Sequence, residues 1–502
     1  MSGLLVAGTA SDAGKSVVTT GLCRALTRAG VKVAPFKAQN MSNNSMVCAD
    51  AVHGTAEIGR AQWVQALAAQ AEPEVAMNPV LLKPGSDLRS HVVVMGRPAG
   101  TVDATDFVAG RAHLARAAYD AFDDLASRYD VVVAEGAGST AEINLRSSDF
   151  VNLGLARHAG LSTVVVGDID RGGLFAALYG TVALLEPADQ RLVAGFVVNK
   201  FRGDRGLLEP GLRQLEELTG RPVHGVLPWH PDLWLDSEDA LDLDARRVGD
   251  AADVLRVAVV RLPRISNLTD VDALGLEPGV DVVFTADPRS LAGADLVVLP
   301  GTRATRADLA WLRESGLDRA VLAHAGAGRP VLGICGGFQL LGRTIADPHG
   351  VEGGPGEVEG LGLLDVRTDF TPEKVLRLPC GEALGAPTSG YEIHHGRVTL
   401  GPGAEELLGG ARAGHVLGTM WHGSLESDAF RAALLAEVAR LTGNEWAPSG
   451  VSFPAARERR LELLADLVEA HLDLAALHRL AVDGPPGDLP LLAPGASWGE
   501  LP

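Results

Sequence analysis

Positive charge and cysteine are both scarce in this chain of 502 residues. The 44 Lys and Arg stand against 63 Asp and Glu, a formal net charge of −19. That balance argues against general binding of nucleic acid or of an anionic membrane, while leaving room for a local basic pocket. The four cysteines, Cys23, Cys48, Cys335 and Cys380, are too few and too scattered for a disulfide framework, and no CxxC pair suggests zinc. No apolar run approaches the roughly 18 to 20 residues of a membrane span, and no basic leader or cleavage pattern precedes the strand-like run within Met1 to Ala10. The expectation is a cytoplasmic protein. No repeat recurs at a period of about 20 to 50 residues, which excludes a solenoid.

What is present reads as α/β. The length exceeds what one hydrophobic core usually organises, and 60 Gly with 28 Pro in no fixed period suit many tight turns between short elements. Strand-like runs at Leu4 to Gly8, Val31 to Phe36, Val131 to Ala134, Thr163 to Gly167 and Ala194 to Asn199 alternate with helical patterns such as Glu57 to Ala71 and Val108 to Ser127. Such alternation predicts a parallel sheet wrapped by helices. From Pro228 to Asp253 the chain turns acidic and irregular, and apolar strands then resume at Val254 to Val260, Val280 to Thr285, Asp295 to Leu299 and Pro330 to Gly333. The predicted organisation is a first domain over residues 1–235, an acidic linker over 236–253 and a second α/β domain over 254–445. Residues 446–502 are expected to form a helix, Glu458 to Leu480, and a flexible Pro/Gly-rich end.

The segment Gly8-Thr9-Ala-Ser-Asp12-Ala13-Gly14-Lys15-Ser16 follows an apolar strand and opens a helix, the setting in which backbone N–H groups and a helix N-terminus hold phosphate. Lys15 would neutralise the terminal phosphates of ATP and Ser16 would ligate Mg²⁺, although five residues separate the outer glycines where four are common. Three further candidates end strands, where open α/β sheets bind ligands. Glu135 is either a metal-facing carboxylate or an ordinary surface Glu. Lys37 either meets a transferring phosphoryl group or is solvated. Asn199 has an amide able to read a nucleobase edge.

In the second half, Pro330-Val-Leu-Gly-Ile-Cys335-Gly-Gly reads as a buried strand, a sharp turn at Cys335 and an apolar helix. That is nucleophile-elbow geometry, in which the helix N-terminus lowers the thiol pKa. The partner base is expected at His422, which follows an apolar run among small residues. Gly301, in Leu299-Pro-Gly-Thr302, and Gly336 have backbone N–H groups placed for an oxyanion hole, although a plain strand-to-turn corner suits Gly301 equally.

Taken together, the motifs resemble the cobyric acid synthases, glutamine-dependent amidotransferases of cobalamin biosynthesis. The first half is similar to dethiobiotin synthetase-like P-loop ligases through the Gly8 to Ser16 loop, Phe36-Lys-Ala-Gln-Asn-Met41, Glu57-Ile-Gly-Arg-Ala-Gln62, Glu135-Gly-Ala-Gly138, Asp168-Ile-Asp-Arg-Gly-Gly173 and Asn199-Lys-Phe-Arg-Gly-Asp204. The second half is similar to class I glutamine amidotransferase domains through Leu299-Pro-Gly-Thr302, Gly333-Ile-Cys-Gly-Gly-Phe-Gln339, Gly390-Tyr-Glu-Ile-His394 and His422-Gly423. The resemblance implies ATP- and glutamine-dependent amidation of the b, d, e and g carboxylates of adenosylcobyrinic acid a,c-diamide, a corrinoid. It also implies a Mg²⁺ shell of Ser16, Glu135 and Asp50. Ser424 stands two residues after His422, where many class I glutaminases carry the Glu that orients the histidine. A Cys335/His422 dyad oriented by some other group is therefore expected. The rivals are the related a,c-diamide synthase and a partition-type ATPase; the Phe36 to Met41 and Asp168 to Gly173 segments disfavour the first, the fused glutaminase and the −19 charge the second.

Overall fold

The computed structural model describes residues 2–84, 89–103, 111–231, 233 and 255–492. The acidic linker expected over 236–253 lies outside these, as does the end of the chain from 493. The first half is built on a six-stranded sheet: β1 (Gly3–Gly8), β2 (Val33–Phe36), β3 (Val131–Glu135), β4 (Ser162–Asp168), β5 (Val193–Phe201) and β6 (Val223–Pro228). Their spatial order is β6-β5-β4-β1-β3-β2, all parallel. Every residue of β1, β2 and β3 is buried, which is why they read as unbroken apolar runs rather than as alternating ones. The loop after β1 enters helix α1 (Lys15–Arg28). Because β3 adjoins β1 with Val6 opposite Glu135, the Glu135 carboxylate emerges beside that loop.

The second half repeats the plan. Strands β7 (Leu255–Val260), β8 (Val280–Thr285), β9 (Leu296–Leu299), β10 (Val331–Ile334) and β11 (Val416–Thr419) form a parallel sheet in the order β8-β7-β9-β10-β11, extended by two antiparallel strands, Gly410–Ala413 and Glu405–Leu407. Helix α2 (Gly336–Leu341) leaves β10 directly at Cys335.

Three expectations are corrected. The helical pattern from Glu57 starts as a strand: Gly54–Gly59 pairs antiparallel with Ser45–Asp50, and the helix covers only Arg60–Ala68. Charge burial accounts for it, since the Glu57 carboxylate is fully buried between Lys83 and Lys374. The single C-terminal helix is two, α3 (Phe453–His471) and α4 (Leu474–Asp483), because Leu472 is extended and the Asp473 side chain caps the second at the Ala476 N–H. The segment after Gly484 is docked at least to Leu492, which is buried and exchanges hydrogen bonds with Gln190.

Helix α3 returns to the first half and lies along α1. Gly21 permits the approach, for a Cβ there would stand 2.6 Å from Val468 Cγ2. Arg24 and Arg28 pair with Glu458, Glu462, Asp466 and Glu469 around the contact. Phe453, Leu461, Leu464 and Val468 are all nearly fully buried. At about 1.5–3 kcal/mol for each buried side chain, their loss is comparable to the whole margin by which most domains are folded. A chain ending at Trp446 is therefore expected to lose at least about 10 °C of thermal midpoint, read by calorimetry, with hydrogen exchange accelerated in α1. An unchanged midpoint would show that α3 adds nothing to the first half.

Candidate active site

Two sites lie on either side of one seam. At the first, Gly14 caps α1 with φ +96°, and a Cβ on it would stand 1.8 Å from Asn199 Nδ2, so only glycine fits. Asn199 donates from that nitrogen to the Ala13 carbonyl at 3.0 Å and so braces the loop. The loop is held from other sides as well. Thr9 N–H donates to Val166, Thr140 donates to the Gly8 carbonyl from both its amide and its hydroxyl, and Lys200 Nζ donates to the Asp12 carbonyl. Lys15 Nζ donates to the carbonyls of Ala10 and Gly138, across the mouth of the loop.

Behind the loop sits Glu135, with no solvent exposure. Its Oε1 accepts from Ser16 Oγ at 3.0 Å and from Lys37 Nζ at 2.8 Å, and its Oε2 accepts from Gln65 Nε2 at 2.5 Å. Burial alone would raise this carboxyl, but Lys37, Gln65 and Lys15 hold it below the usual carboxylate range. Ser16, Lys15, Lys37, Glu135 and Asn199 all line one cleft of about 1360 Å³. That exceeds the roughly 300–1,000 Å³ of a typical single-ligand pocket and leaves room for a second substrate beside a nucleotide. Its walls also carry Arg111, Arg146, Arg171 and Arg202 beside Asp12, Glu142, Asp149 and Asp170, a lining of mixed charge.

Asp50 is placed elsewhere. It ends its strand at a hairpin turn, where its Oδ2 accepts from the His53 N–H at 2.7 Å, and it is not among the residues lining the cleft. Of the candidate metal donors a hydroxyl and one carboxylate, Ser16 and Glu135, lie together in the cleft. That set suits Mg²⁺, which takes one or two carboxylates and fills its octahedron with phosphate oxygens and water. Among the described residues no group of three or more His, Cys, Asp or Glu forms a metal cage.

At the second site, Cys335 stands between β10 and α2 with φ 49° and ψ −107°, a strained conformation for a residue bearing a Cβ. The turn is tight enough that a Cβ on Gly337 would lie 1.9 Å from the Leu299 carbonyl oxygen, and one on Gly336 would lie 2.9 Å from Thr302 N. Gly301 is equally close, its hypothetical Cβ standing 3.0 Å from His422 Cε1. The backbone of Gly301 and of Gly336 thus borders the thiol and the imidazole.

His422 is buried, its ring hydrogen-bonds the carboxylate of Asp270, and the Cys335 thiol lies in the same pocket, near enough to act on the imidazole electrostatically. Asp270 Oδ2 lies 2.7 Å from His422 Nδ1, and its Oδ1 accepts from the Gly423 N–H at 2.8 Å. Against a carboxylate Nδ1 carries the proton, which leaves the other ring nitrogen for the thiol. Burial opposes an imidazolium here, yet the charges of Asp270 and Cys335 push His422 up to about 10. The orienting group absent at Ser424 is therefore supplied from Leu268–Val271, a 3₁₀ turn remote in sequence. Its signal in the sequence is the polar set Ser266, Asn267, Thr269 and Asp270 interleaved with Ile265, Leu268 and Val271.

The pocket of Cys335 is lined by both halves of the chain: Ser266, Thr302, Gln339 and His422 from one, Asn43 and Lys83 from the other. Met41 lines the nucleotide-side cleft and Asn43 lines the thiol's pocket. Two residues of chain span at most about 7 Å.

Comparison with known proteins agrees with this division. Residues 4–242 match the family described as the CobQ/CobB/MinD/ParA nucleotide binding domain, and residues 256–430 match the CobB/CobQ-like glutamine amidotransferase domain. The cobyric acid synthase of Mycolicibacterium gilvum (strain PYR-GCK) is 71% identical over 496 residues, covering 99% of this chain and 100% of its own. That of Mycolicibacterium vanbaalenii is 70% identical with the same coverage. The cobyric acid synthase of Mycobacterium tuberculosis (strain ATCC 25618 / H37Rv) is 71% identical over 499 residues, again 99% of this chain and 100% of its own. With both domains present in order and full-length identity near 70%, the chain belongs to the cobyric acid synthase family.

Proposed function

We propose that the protein amidates the b, d, e and g carboxylates of adenosylcobyrinic acid a,c-diamide, drawing nitrogen from glutamine and energy from ATP. The observation that carries this reading is the seam itself: a thiol–imidazole–carboxylate set and a phosphate loop in one chain, their cavities two residues apart at Met41 and Asn43. A carboxylate does not exchange its oxygen for ammonia at neutral pH without activation. Phosphorylation to an acyl phosphate provides the leaving group, and a Mg²⁺ ion facing Ser16 and Glu135 would supply charge neutralisation at the phosphates. Lys15 stabilises the charge on the phosphoryl group in transfer, and Lys37, oriented by Glu135, approaches it from the other side. The arginines of the cleft suit a substrate that presents several carboxylates.

On the other side of the seam Cys335 attacks the glutamine amide, His422 manages the proton, and the N–H groups of Gly301 and Gly336 receive the oxyanion. Ammonia then passes to the acyl phosphate without crossing bulk water. The direct test is mass spectrometry of the protein incubated with cobyrinic acid a,c-diamide, glutamine and Mg-ATP. Four successive exchanges of carboxylate OH for NH₂ are expected, and fewer would limit the assignment to a related regiochemistry.

Cys335→Ala is expected to abolish synthesis from glutamine while high concentrations of ammonia still support it, because only nitrogen release uses the thiol. Loss of both activities in a folded variant would contradict the division of labour. Asp270→Asn removes the negative charge that favours the imidazolium. The His422 titration should then move down from about 10 toward the ordinary value, followed by ring NMR, with glutamine hydrolysis falling about 100-fold or more. An unmoved titration would exclude Asp270 as the orienting group.

Lys15→Ala should remove synthesis with either nitrogen source, since such contacts are commonly worth about 3 kcal/mol or more in the transition state. Glu135→Gln should raise the Mg²⁺ concentration needed for half-maximal synthesis, and it also deprives buried Lys37 of its counter-charge. An unchanged Mg²⁺ titration would remove Glu135 from the site.

A further inference from the structure

Glutamine brings two charges to the Cys335 pocket besides the amide that reacts. Its α-ammonium and α-carboxylate both lose water on entry, and each needs a compensating group. The pocket wall beyond the thiol contains Thr305, Gln339, Glu352 and Arg303. Gln339 follows Cys335 by one helical turn and accepts from Thr305 Oγ1 at 3.3 Å.

Glu352 is half satisfied. Its Oε1 accepts from Thr305 Oγ1 at 3.0 Å, whereas its Oε2 is sealed from solvent with no hydrogen-bond donor among the described residues. A carboxylate oxygen in that condition is costly to bury, and burial pushes this carboxyl up to about 7 despite the nearby Arg303. The residue is held in place by its backbone. Asp347, itself fully buried, accepts from the N–H groups of Val351 and Glu352 at 2.8 and 2.9 Å.

The cations of the pocket divide cleanly. Lys83 and Lys374 are both committed to Glu57. Arg303 is fixed through its backbone, where its N–H donates to the Arg264 carbonyl at 2.9 Å, and its guanidinium pairs with no carboxylate among the described residues. One uncommitted cation and one unsatisfied carboxylate oxygen thus share the pocket of the nucleophile.

Resting on the reading that Cys335 attacks glutamine, we propose that Glu352 and Arg303 recognise the amino-acid head of the nitrogen donor, Glu352 taking the α-ammonium and Arg303 the α-carboxylate. The two then determine that free glutamine, rather than a simple primary amide, is the donor. Both contacts are to groups that do not react, so they set specificity and position the amide over the thiol.

The test compares kcat/KM for ammonia release from three amides, without corrinoid or ATP: L-glutamine, glutaramate, which lacks the α-ammonium, and 4-aminobutanamide, which lacks the α-carboxylate. The native protein should prefer glutamine over each analogue by about 30-fold or more, the cost of leaving one member of a buried charge pair unmatched. Glu352→Gln should collapse the preference over glutaramate to below about 3-fold while keeping that over 4-aminobutanamide, and Arg303→Gln should do the reverse. A variant damaged only in its fold loses all three amides by one factor and keeps both ratios, which would overturn the proposal. So would native ratios near one. Since no corrinoid is present, failure of the four-fold amidation assay leaves this result standing. A native protein that releases no ammonia from glutamine overturns the glutaminase reading and the pair with it.

Discussion

A buried carboxylate joins the two halves of the molecule at their seam. Glu57, on a strand of the first half, accepts from Lys83 of its own half at 2.6 Å and from Lys374 of the other, all three side chains being nearly or wholly buried. Burial would raise the Glu57 carboxyl, but Lys374 and Lys83 together carry it far below the ordinary range. For Lys374 burial is the larger influence, and it is lowered to about 8. Removing one member of such a cluster typically costs about 3–5 kcal/mol because the charges left behind stay buried. Its carboxylate being depressed, Glu57 favours the docked state above the ordinary carboxylate range near 4.3, and that contribution is lost as the pH falls further.

The same seam also builds the glutaminase. Ser45, two strand positions from the partner of Glu57 in its hairpin, donates its N–H to Asn267 Oδ1 at 2.9 Å, and Leu268 N–H donates to Asn44 Oδ1. Asn267 caps the 3₁₀ turn that carries Asp270 and sits in the left-handed region at φ 49°. Contact with the ligase half therefore fixes the backbone three residues from the carboxylate that orients His422. A change at the first site that shifts the Ser45 hairpin reaches the base of the second through one turn of chain. On the proposed reaction that short physical path would join two chemistries that must run in step, since ammonia released with no acyl phosphate waiting would be lost.

Legibility in the sequence followed locality. The phosphate loop, the elbow at Cys335 and the strands that carry them depend on residues within about ten positions, where glycine spacing and unbroken apolar runs state the geometry directly. Asp270 was not legible because its partner lies 152 residues away and its own segment is a short turn without periodicity. Glu57 misled for the opposite reason. Its neighbours carry a helical pattern, and only the two lysines brought by tertiary contact show why that stretch is a strand. Asp50 looked like a candidate ligand by type and by resemblance, but hairpin geometry commits its carboxylate to the turn that it closes.

The distribution of charge along the seam has one further chemical consequence. On the proposed transfer between the sites, ammonia would be useful only unprotonated, and a lone carboxylate between them would bind ammonium and hold it there. Acidic groups of the seam and of the two sites are already committed: Glu57 to two lysines, Glu135 to Lys37, Ser16 and Gln65, Asp270 to His422 and Gly423. Lys83, Lys374 and Arg303 add positive charge to the same region, which disfavours ammonium and leaves ammonia untouched. Glu352 is the exception, and on the specificity proposed for it that oxygen is covered by the α-ammonium of the donor, first as glutamine and then as the glutamyl thioester. The unpaired acceptor is thus occupied during the interval in which ammonia leaves.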